Sequence, residues 1–144
     1  MRINGKAIAD DIFQKLRKQV LLLKKKNIFP HIAIILVGDN PASVSYVKRK
    51  QLKAQELGTK ATIINYELSI TNDELLRAIE QLNNDSNVHG IIIQRPLPPH
   101  IDLEAINQAV IPSKDIDAFH KDTPFDMPLA KATLLLLENV YLNR

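Results

Sequence analysis

Apolar and polar positions follow two different periods along this chain, which predicts strands alternating with helices. Short apolar runs rich in β-branched residues predict strands over residues 31–37, 59–68 and 90–94. Apolar residues three or four positions apart predict helices over residues 5–26, 42–57, 102–110 and 128–141, and a further helix beginning after Thr71. Such alternation is typical of parallel strands covered by helices. The sequence therefore predicts an α/β fold, a three-layer domain with a mostly parallel sheet and helices on both faces.

Proline, glycine and capping residues support several of these boundaries. Pro30 cannot continue the first helix, and Pro41 suits the first position of the second. Gly58 suits the position after that helix, where a left-handed backbone is common. Thr71 and Glu74 have the spacing of a capping box, in which each side chain bonds to the other residue's backbone N–H. These residues predict where helices begin and end, independently of the apolar pattern.

Three loops are the places where function is expected. In open parallel sheets, ligands bind beyond the carboxyl ends of the strands. The segments predicted to lie there are residues 38–43, residues 94–99 and the region around residues 115–117. Candidate chemistry is therefore sought in these loops and in the helix that follows the first of them.

Composition narrows the class of protein. The chain has 144 residues, of which 45% are hydrophobic, enough to bury the core of one domain. No apolar run is long enough to cross a membrane, and the first residues lack the apolar block of a signal peptide. The absence of cysteine excludes disulfides and thiolate sites, and the four histidines show no metal-ligand spacing. We expect a cytoplasmic protein without a metal ion and without a membrane partner.

The net charge of +3 is modest, and its lysines and arginines concentrate between residues 15 and 26. This cluster has two interpretations, a nucleic-acid patch or the solvated face of a helix. The second is favoured because one apolar stripe runs along the opposite face of that helix, at Ile8, Ile12, Leu16, Val20 and Leu23. No nucleic-acid partner is expected.

The second predicted helix carries an unusual set of side chains on one face. Ser43, Tyr46 and Lys50 follow the spacing i, i+3, i+7, so a hydroxyl, an aromatic ring and an amine form one stripe. A lysine acts as an acid or base near neutral pH only where burial or a nearby cation lowers its pKa. Lys50 is therefore either a proton-transfer group or an ordinary surface lysine.

Gln94 and Asp117 are the other candidates. Gln94 ends an apolar strand and is followed by prolines, so its amide could orient a neighbouring amine or merely cap the strand. Asp115 and Asp117 flank Ile116, and an extended backbone would point both carboxylates to the same side. A carboxylate is a natural bidentate acceptor for an aminopyrimidine-like edge, but an Asp-rich turn is an equally good interpretation.

Taken in order, these segments resemble the signatures of one family, the methylenetetrahydrofolate dehydrogenase/methenyltetrahydrofolate cyclohydrolase family. Each motif alone is weak, but their common order along the chain makes a chance match improbable. The motifs are the opening Asn-Gly-Lys-Ala-Ile-Ala at residues 4–9, Val-Gly-Asp-Asn-Pro-Ala-Ser at 37–43, Tyr-Val-x-x-Lys at 46–50, Gly-Ile-Ile-Ile-Gln-x-Pro-Leu-Pro at 90–98 and Pro-x-Lys-Asp-Ile-Asp at 112–117.

The resemblance implies a catalytic set of Lys50, Gln94 and Asp117. Lys50 matches the family's general acid/base in hydrolysis of the methenyl bridge. Gln94 matches the glutamine that bonds to that lysine and tunes it, and Asp117 matches the carboxylate that grips the pterin.

The resemblance also implies substrate-binding positions. Tyr46 matches the tyrosine that packs along the aminobenzoyl ring of the folate, and Ser43 matches the serine that precedes it. Pro96 and Pro98 belong to the loop that matches the family's substrate-binding segment. The implied partner is a small-molecule folate.

The resemblance further implies that full-length members use NADP, bound in a Rossmann domain, and form homodimers. This chain shows no dinucleotide or P-loop motif, so residues 1–144 are expected to be the folate-binding catalytic domain alone. Residues 128–141 resemble the helix that connects to the cofactor domain, which favours a fragment over a stand-alone homologue. Cyclohydrolase activity is then expected and dehydrogenase activity is not; the alternative is a non-catalytic folate-binding homologue.

Three positions depart from the family's pattern. Ala118 stands where a glycine is usual, so a turn with positive φ there would cost free energy. Arg95 stands where an apolar residue is usual and is either a surface charge or an anion contact. Residues 128–131, Pro-Leu-Ala-Lys, stand where many members have Pro-Cys-Thr-Pro, which helps to wall the folate site.

Overall fold

The computed structural model describes residues 4–142, in which three parallel strands form one sheet with the order β2-β1-β3. The strands are β1 (His31–Val37), β2 (Lys60–Tyr66) and β3 (Gly90–Ile93). The helices are α1 (Gly5–Lys25), α2 (Pro41–Leu57), α3 (Asn72–Asn84), α4 (Leu103–Ala109) and α5 (Pro128–Leu142), with a short 3₁₀ turn at Pro112–Lys114. The predicted α/β fold is confirmed, and the predicted element ends differ from these by at most two residues.

The central strand β1 is buried on both faces, which explains its uninterrupted apolar sequence. Ile34 pairs with Ile63 of β2 on one side and with Ile92 of β3 on the other. Alternate residues of the sheet point into two separate cores. One core lies under α3 and α4 and contains Leu75 and Ile106, whereas the other lies under α2. The sheet is therefore covered by helices on both faces, as in a three-layer domain.

Pro41, Gly58, Thr71 and Glu74 act as predicted at the helix ends, and Asn40 is an additional cap. The Asn40 side chain accepts the backbone N–H groups of Ala42 and Ser43, so α2 begins at Pro41. Gly58 ends that helix with φ of 79°, in the left-handed region that glycine tolerates. The capping box of Thr71 and Glu74 is present at the start of α3. Local interactions therefore fix both ends of α2 and the beginning of α3.

The apolar stripe of α1 is covered only in part. Val20 is buried, but Ile12 and Leu16 are 37% and 38% exposed. The helix contacts α2 through Arg17, whose guanidinium donates to the carbonyl oxygen of Glu56 at 3.1 Å. No helix within residues 4–142 combines the length and apolar character that crossing a membrane requires.

The segment after α4 returns to the free edge of β3. A single parallel bridge pairs Asp115 with Ile91 and so attaches this segment to the edge of β3. Ala118 then turns the chain with φ of 60°. This turn brings the aspartate segment to the same sheet edge as the beginning of α2.

Candidate active site

Helix α2 presents Tyr46 and Lys50 along one side of a cavity. Val47 and Ala54 on its other side are buried against the sheet, which sets the rotation of the helix. Lys50 is half-buried, and its amine lies 5.2 Å from the centre of the Tyr46 ring. Tyr46 is 56% exposed, so most of its ring remains free to contact a ligand. The predicted stripe therefore faces a cavity at these two positions.

Gln94 lies at the end of β3, across the cavity from Lys50. Its backbone N–H continues the sheet by donating to the carbonyl oxygen of Ile35 at 2.8 Å. The Lys50 amine donates to Gln94 Oε1 at 3.3 Å, and Gln94 Nε2 donates to the carbonyl oxygen of Arg95 at 2.9 Å. The amide is thus held at both ends, and its oxygen faces the amine.

The two aspartates near the edge of β3 point in different directions. Asp115 is only 4% exposed, and its carboxylate accepts the backbone N–H of His120 at 2.7 Å. Asp117 instead lines the cavity that also contains Lys50. The backbone between them is not extended, because the 3₁₀ turn precedes it and Ala118 reverses it, so strand alternation does not apply. Asp115 holds the loop and Asp117 faces the cavity.

Together these side chains surround a cavity of about 540 Å³, a volume in the range of small-molecule sites. Its lining combines a few polar groups with a larger apolar wall. The lining residues are Tyr46, Lys50, Ile93, Gln94, Arg95, Asp117, Phe119, Met127, Pro128, Leu129 and Ala132. All three residues of the predicted catalytic set are among them.

Burial shifts the pKa values of Lys50 and Asp117 in the directions that favour the neutral form of each group. Desolvation lowers the pKa of Lys50, and the nearby Asp117 carboxylate partly opposes this shift. Desolvation likewise raises the pKa of Asp117; the positive charges of Lys50 and Arg95 oppose the rise, and Asp115 adds to it. An amine and a carboxylate poised in this way are typical of sites that transfer protons.

Three predicted substrate-binding residues lie outside this cavity. Ser43 is 6% exposed, and its hydroxyl donates to the carbonyl oxygen of Arg95 at 3.4 Å. Pro96 and Pro98 line a neighbouring cavity of about 360 Å³, which shares Arg95 with the first. Ser43 therefore supports the loop after β3, and a direct substrate role for these three residues stays a prediction.

Several lining residues were not predicted as site residues. Phe119 follows Asp117 by two positions, and Met127 precedes α5, but neither carries a spacing that would distinguish it from a core residue. Leu129 and Ala132 reach the cavity because α5 packs over it. Pro128 and Leu129 belong to the segment that the resemblance had suggested as a wall, whereas the sequence offered no signal for Ala132.

The turn between β1 and α2 does not form a dinucleotide site. The Ala42 and Ser43 N–H groups, which would face a diphosphate at the amino end of the helix, already donate to Asn40 Oδ1 at 3.0 and 3.1 Å. A side chain of Leu68 also lies within 2.6 Å of where a Cβ on Gly38 would stand. This turn therefore does not fit the diphosphate of NADP. Residues 4–142 hold no group of three or more side chains of the types that bind a metal ion.

Comparison with known proteins agrees with this geometry. The sequence profile described as "Tetrahydrofolate dehydrogenase/cyclohydrolase, catalytic domain" matches residues 3–117. A bifunctional protein FolD from Oceanobacillus iheyensis is 45% identical over 118 residues, which cover 82% of this chain and 41% of the relative.

Solved structures give the same result. The bifunctional enzyme FolD from Campylobacter jejuni superposes with a TM-score of 0.93 at 37% identity, over 97% of this chain and 53% of that one. A Trypanosoma brucei FolD, solved with NADP and an inhibitor, superposes with a TM-score of 0.77 at 33% identity, over 81% of this chain and 40% of that one. The chain spans about half the length of such relatives, or less. It belongs to the tetrahydrofolate dehydrogenase/cyclohydrolase family and matches the catalytic domain of that family.

Proposed function

We propose that this chain is a folate-binding catalytic domain that hydrolyses 5,10-methenyltetrahydrofolate in one-carbon metabolism. The observation that carries the proposal is the half-buried Lys50, held 3.3 Å from Gln94 Oε1 in a cavity that also presents Asp117. The cavity volume of about 540 Å³ suits part of a folate. Membership of the family supports the same reaction.

The reaction needs a placed water and a proton carrier, because the methenyl carbon is already electrophilic. The water oxygen bonds to that carbon, and the proton it loses goes to the neutral amine of Lys50. The bond from the carbon to one ring nitrogen then breaks, and Lys50 returns the proton to that nitrogen. The hydroxyl left on the carbon loses its own proton to solvent as the C=O bond of the formyl product forms. Burial of Lys50 favours the neutral amine that the first step requires.

The other residues bind and orient the substrate. Asp117 is the acceptor for the donor edge of the pterin, since an ionised carboxylate forms two parallel hydrogen bonds with such an edge. The exposed ring of Tyr46 packs against the aminobenzoyl group. Gln94 keeps the Lys50 amine directed at the bridge carbon and away from Asp117. Correct placement of the reacting groups supplies much of the rate in reactions of this type.

Dehydrogenation is a separate step, and we do not expect it from this chain alone. The family resemblance implies NADP as the hydride acceptor, but the turn before α2 does not fit its diphosphate. The expected homodimer, the cytoplasmic location and the connecting role of α5 stay predictions. Binding of a nucleic acid is not part of the proposal.

The test is turnover of methenyltetrahydrofolate by this chain, followed through the loss of its absorbance, with binding measured separately by calorimetry. We expect hydrolysis above the buffer rate in the presence or absence of NADP, and no reduction of NADP with methylenetetrahydrofolate. Binding without turnover would indicate a non-catalytic folate-binding homologue instead. Absence of both would overturn the proposal.

A further inference from the structure

Arg95 is a charged cavity residue to which the proposed mechanism gives no task, yet it makes close contacts with its neighbours. Its guanidinium carbon lies 3.7 Å from the centre of the Phe119 ring, which is stacking distance. Its Nη2 donates to Asn107 Oδ1 of α4 at 2.7 Å. The guanidinium is therefore fixed between a loop and a helix.

The main chain of Arg95 is held as firmly as its side chain. Its carbonyl oxygen accepts hydrogen bonds from Gln94 Nε2 at 2.9 Å and from Ser43 Oγ at 3.4 Å. Its Nε is buried and has no hydrogen-bond partner among the described residues. The guanidinium is thus anchored to the protein through Nη2 and through one face stacked on Phe119. One residue thus joins α2, the end of β3, α4 and the loop after Asp117.

That loop contains a strained position next to the stacked ring. Ala118 has φ of 60°, in the left-handed region where a Cβ is unfavourable. The turn is closed by two bonds to Asp115, from the Ala118 N–H to its carbonyl oxygen at 3.3 Å and from the His120 N–H to its carboxylate at 2.7 Å. Asp117 lies inside this turn, so its direction depends on Ala118 keeping that conformation.

We propose that Arg95 is a positioning residue: by stacking on Phe119 it holds the strained turn at Ala118, and so keeps Asp117 facing the cavity opposite Lys50. The stacking of Arg95 on Phe119 can act on this turn because Phe119 directly follows Ala118. The part of this inference that concerns substrate rests on the proposed function. The part that concerns the turn does not, so the two can be tested separately.

The experiment compares Arg95→Leu, Ala118→Gly and the double variant with the unmodified protein. Glycine adopts the left-handed conformation without a steric cost. Ala118→Gly therefore removes the strain against which the stacking of Arg95 on Phe119 holds the turn. Two experiments are done on each: NMR gives the hydrogen-exchange rate of the His120 amide, and steady-state kinetics gives kcat and KM for methenyltetrahydrofolate hydrolysis. Arg17→Leu is the matched control, since Arg17 also lies over a phenylalanine, at 5.8 Å from the Phe13 ring, but on α1.

We expect Arg95→Leu to speed exchange of the His120 amide about tenfold and to raise KM about tenfold, with kcat changed less than threefold. Loss of uniform substrate binding has that signature. In the Arg95→Leu background, Ala118→Gly should recover most of both losses. Arg17→Leu should change neither quantity by more than twofold.

Arg95→Lys is a second variant, measured in case Arg95→Leu does not fold. It keeps the charge but lacks the flat group that stacks, so it should lie between the unmodified protein and Arg95→Leu in both readouts. The inference is overturned if Arg95→Leu, or Arg95→Lys where the leucine variant is unfolded, leaves His120 exchange within twofold. It is also overturned if Ala118→Gly gives no recovery. If the unmodified protein lacks turnover, the proposed function fails, and the exchange measurements still decide the role of Arg95.

Discussion

Two cavities of the same volume, about 540 Å³ each, lie at opposite edges of the sheet. The first is at the carboxyl ends of the strands and contains Lys50 and Asp117. The second is at the amino ends and is lined by residues that include His31, Lys60 and Asp85. Each cavity offers a lysine and an aspartate, so neither volume nor residue type separates the two.

The difference lies in how the charged groups are held. Burial lowers the pKa of Lys50 and raises that of Asp117, so each is moved toward its neutral form. At the amino edge the pKa of Asp85 is instead lowered, by hydrogen bonds from the backbone and side chain of Asn87. Hydrogen bonds that stabilise the ionised form of a carboxylate are typical of a structural role. Desolvation that favours the neutral forms of an amine and a carboxylate in one cavity is typical of proton transfer. The comparison therefore assigns chemistry to the carboxyl edge.

The largest expected effect is the difference in hydrolysis rate between variants of the two lysines, Lys50 and Lys60. Lys50→Met should lower the cyclohydrolase rate at least a hundredfold, because a positioned general acid or base contributes roughly 10²–10⁴ in rate. Lys60→Met, at the amino edge, should leave the rate within twofold. The measurement is the initial rate of methenyltetrahydrofolate hydrolysis. Equal losses in the two variants would show that the carboxyl edge is not special.

The two aspartates should differ next. Asp117→Asn should raise KM roughly tenfold to a hundredfold, the range expected when a hydrogen bond to a charged group is lost. Asp85→Asn should leave KM unchanged, although it removes the negative charge that strengthens the two Asn87 bonds and should lower thermal stability. Calorimetric titration with the substrate and thermal unfolding separate the two effects. A normal KM in Asp117→Asn would remove that residue from the binding site.

Gln94→Glu tests the role of Lys50 through the pH dependence of the hydrolysis rate. A carboxylate in place of the amide oxygen, which lies 3.3 Å from the Lys50 amine, favours the ammonium and raises the pKa of Lys50. Since the neutral amine accepts the proton, the rate rises with pH, and the variant's profile should shift to higher pH. At any fixed pH below the pKa, the rate then falls about tenfold for each unit by which the pKa rises. An unshifted profile would contradict Lys50 as the titrating base.

The smallest effect concerns the amino edge and stability alone. Burial and the nearby Lys60 lower the pKa of His31 below its usual value of 6.5. The unfolded chain then binds protons more tightly than the folded protein, so stability falls as the pH drops below 6.5. His31→Gln should flatten this part of the curve and leave hydrolysis unchanged. Denaturant unfolding between pH 5 and 7 measures the slope, and an equally steep slope in the variant would contradict the assignment.

Much of the fold could be predicted from local sequence. The apolar runs locate the strands, and Asn40–Pro41, Gly58 and Thr71 with Glu74 locate helix ends, because these interactions join residues only a few positions apart. The alternation of strands and helices also predicts that Gln94 and the loop before α2 share one edge. The catalytic set of Lys50, Gln94 and Asp117 was nevertheless a choice among weak local signals until the resemblance joined them.

The rest depended on contacts between distant segments. The sequence could not distinguish Asp115 from Asp117, since the direction of each depends on the bridge to Ile91 and on the turn at Ala118. It placed Ser43 beside Tyr46 on one helix face, but packing against the loop after β3 buries the serine and leaves the ring exposed.

The sequence alone determined the secondary structure, the parallel arrangement and the sheet edge where chemistry belongs, because propensity, capping and apolar period act over short stretches of chain. Only the tertiary structure decided which amine and which carboxylate lose water together. Desolvation depends on everything that surrounds a group, and Lys50 and Asp117 are surrounded by α2, β3 and α5, which are far apart in the chain.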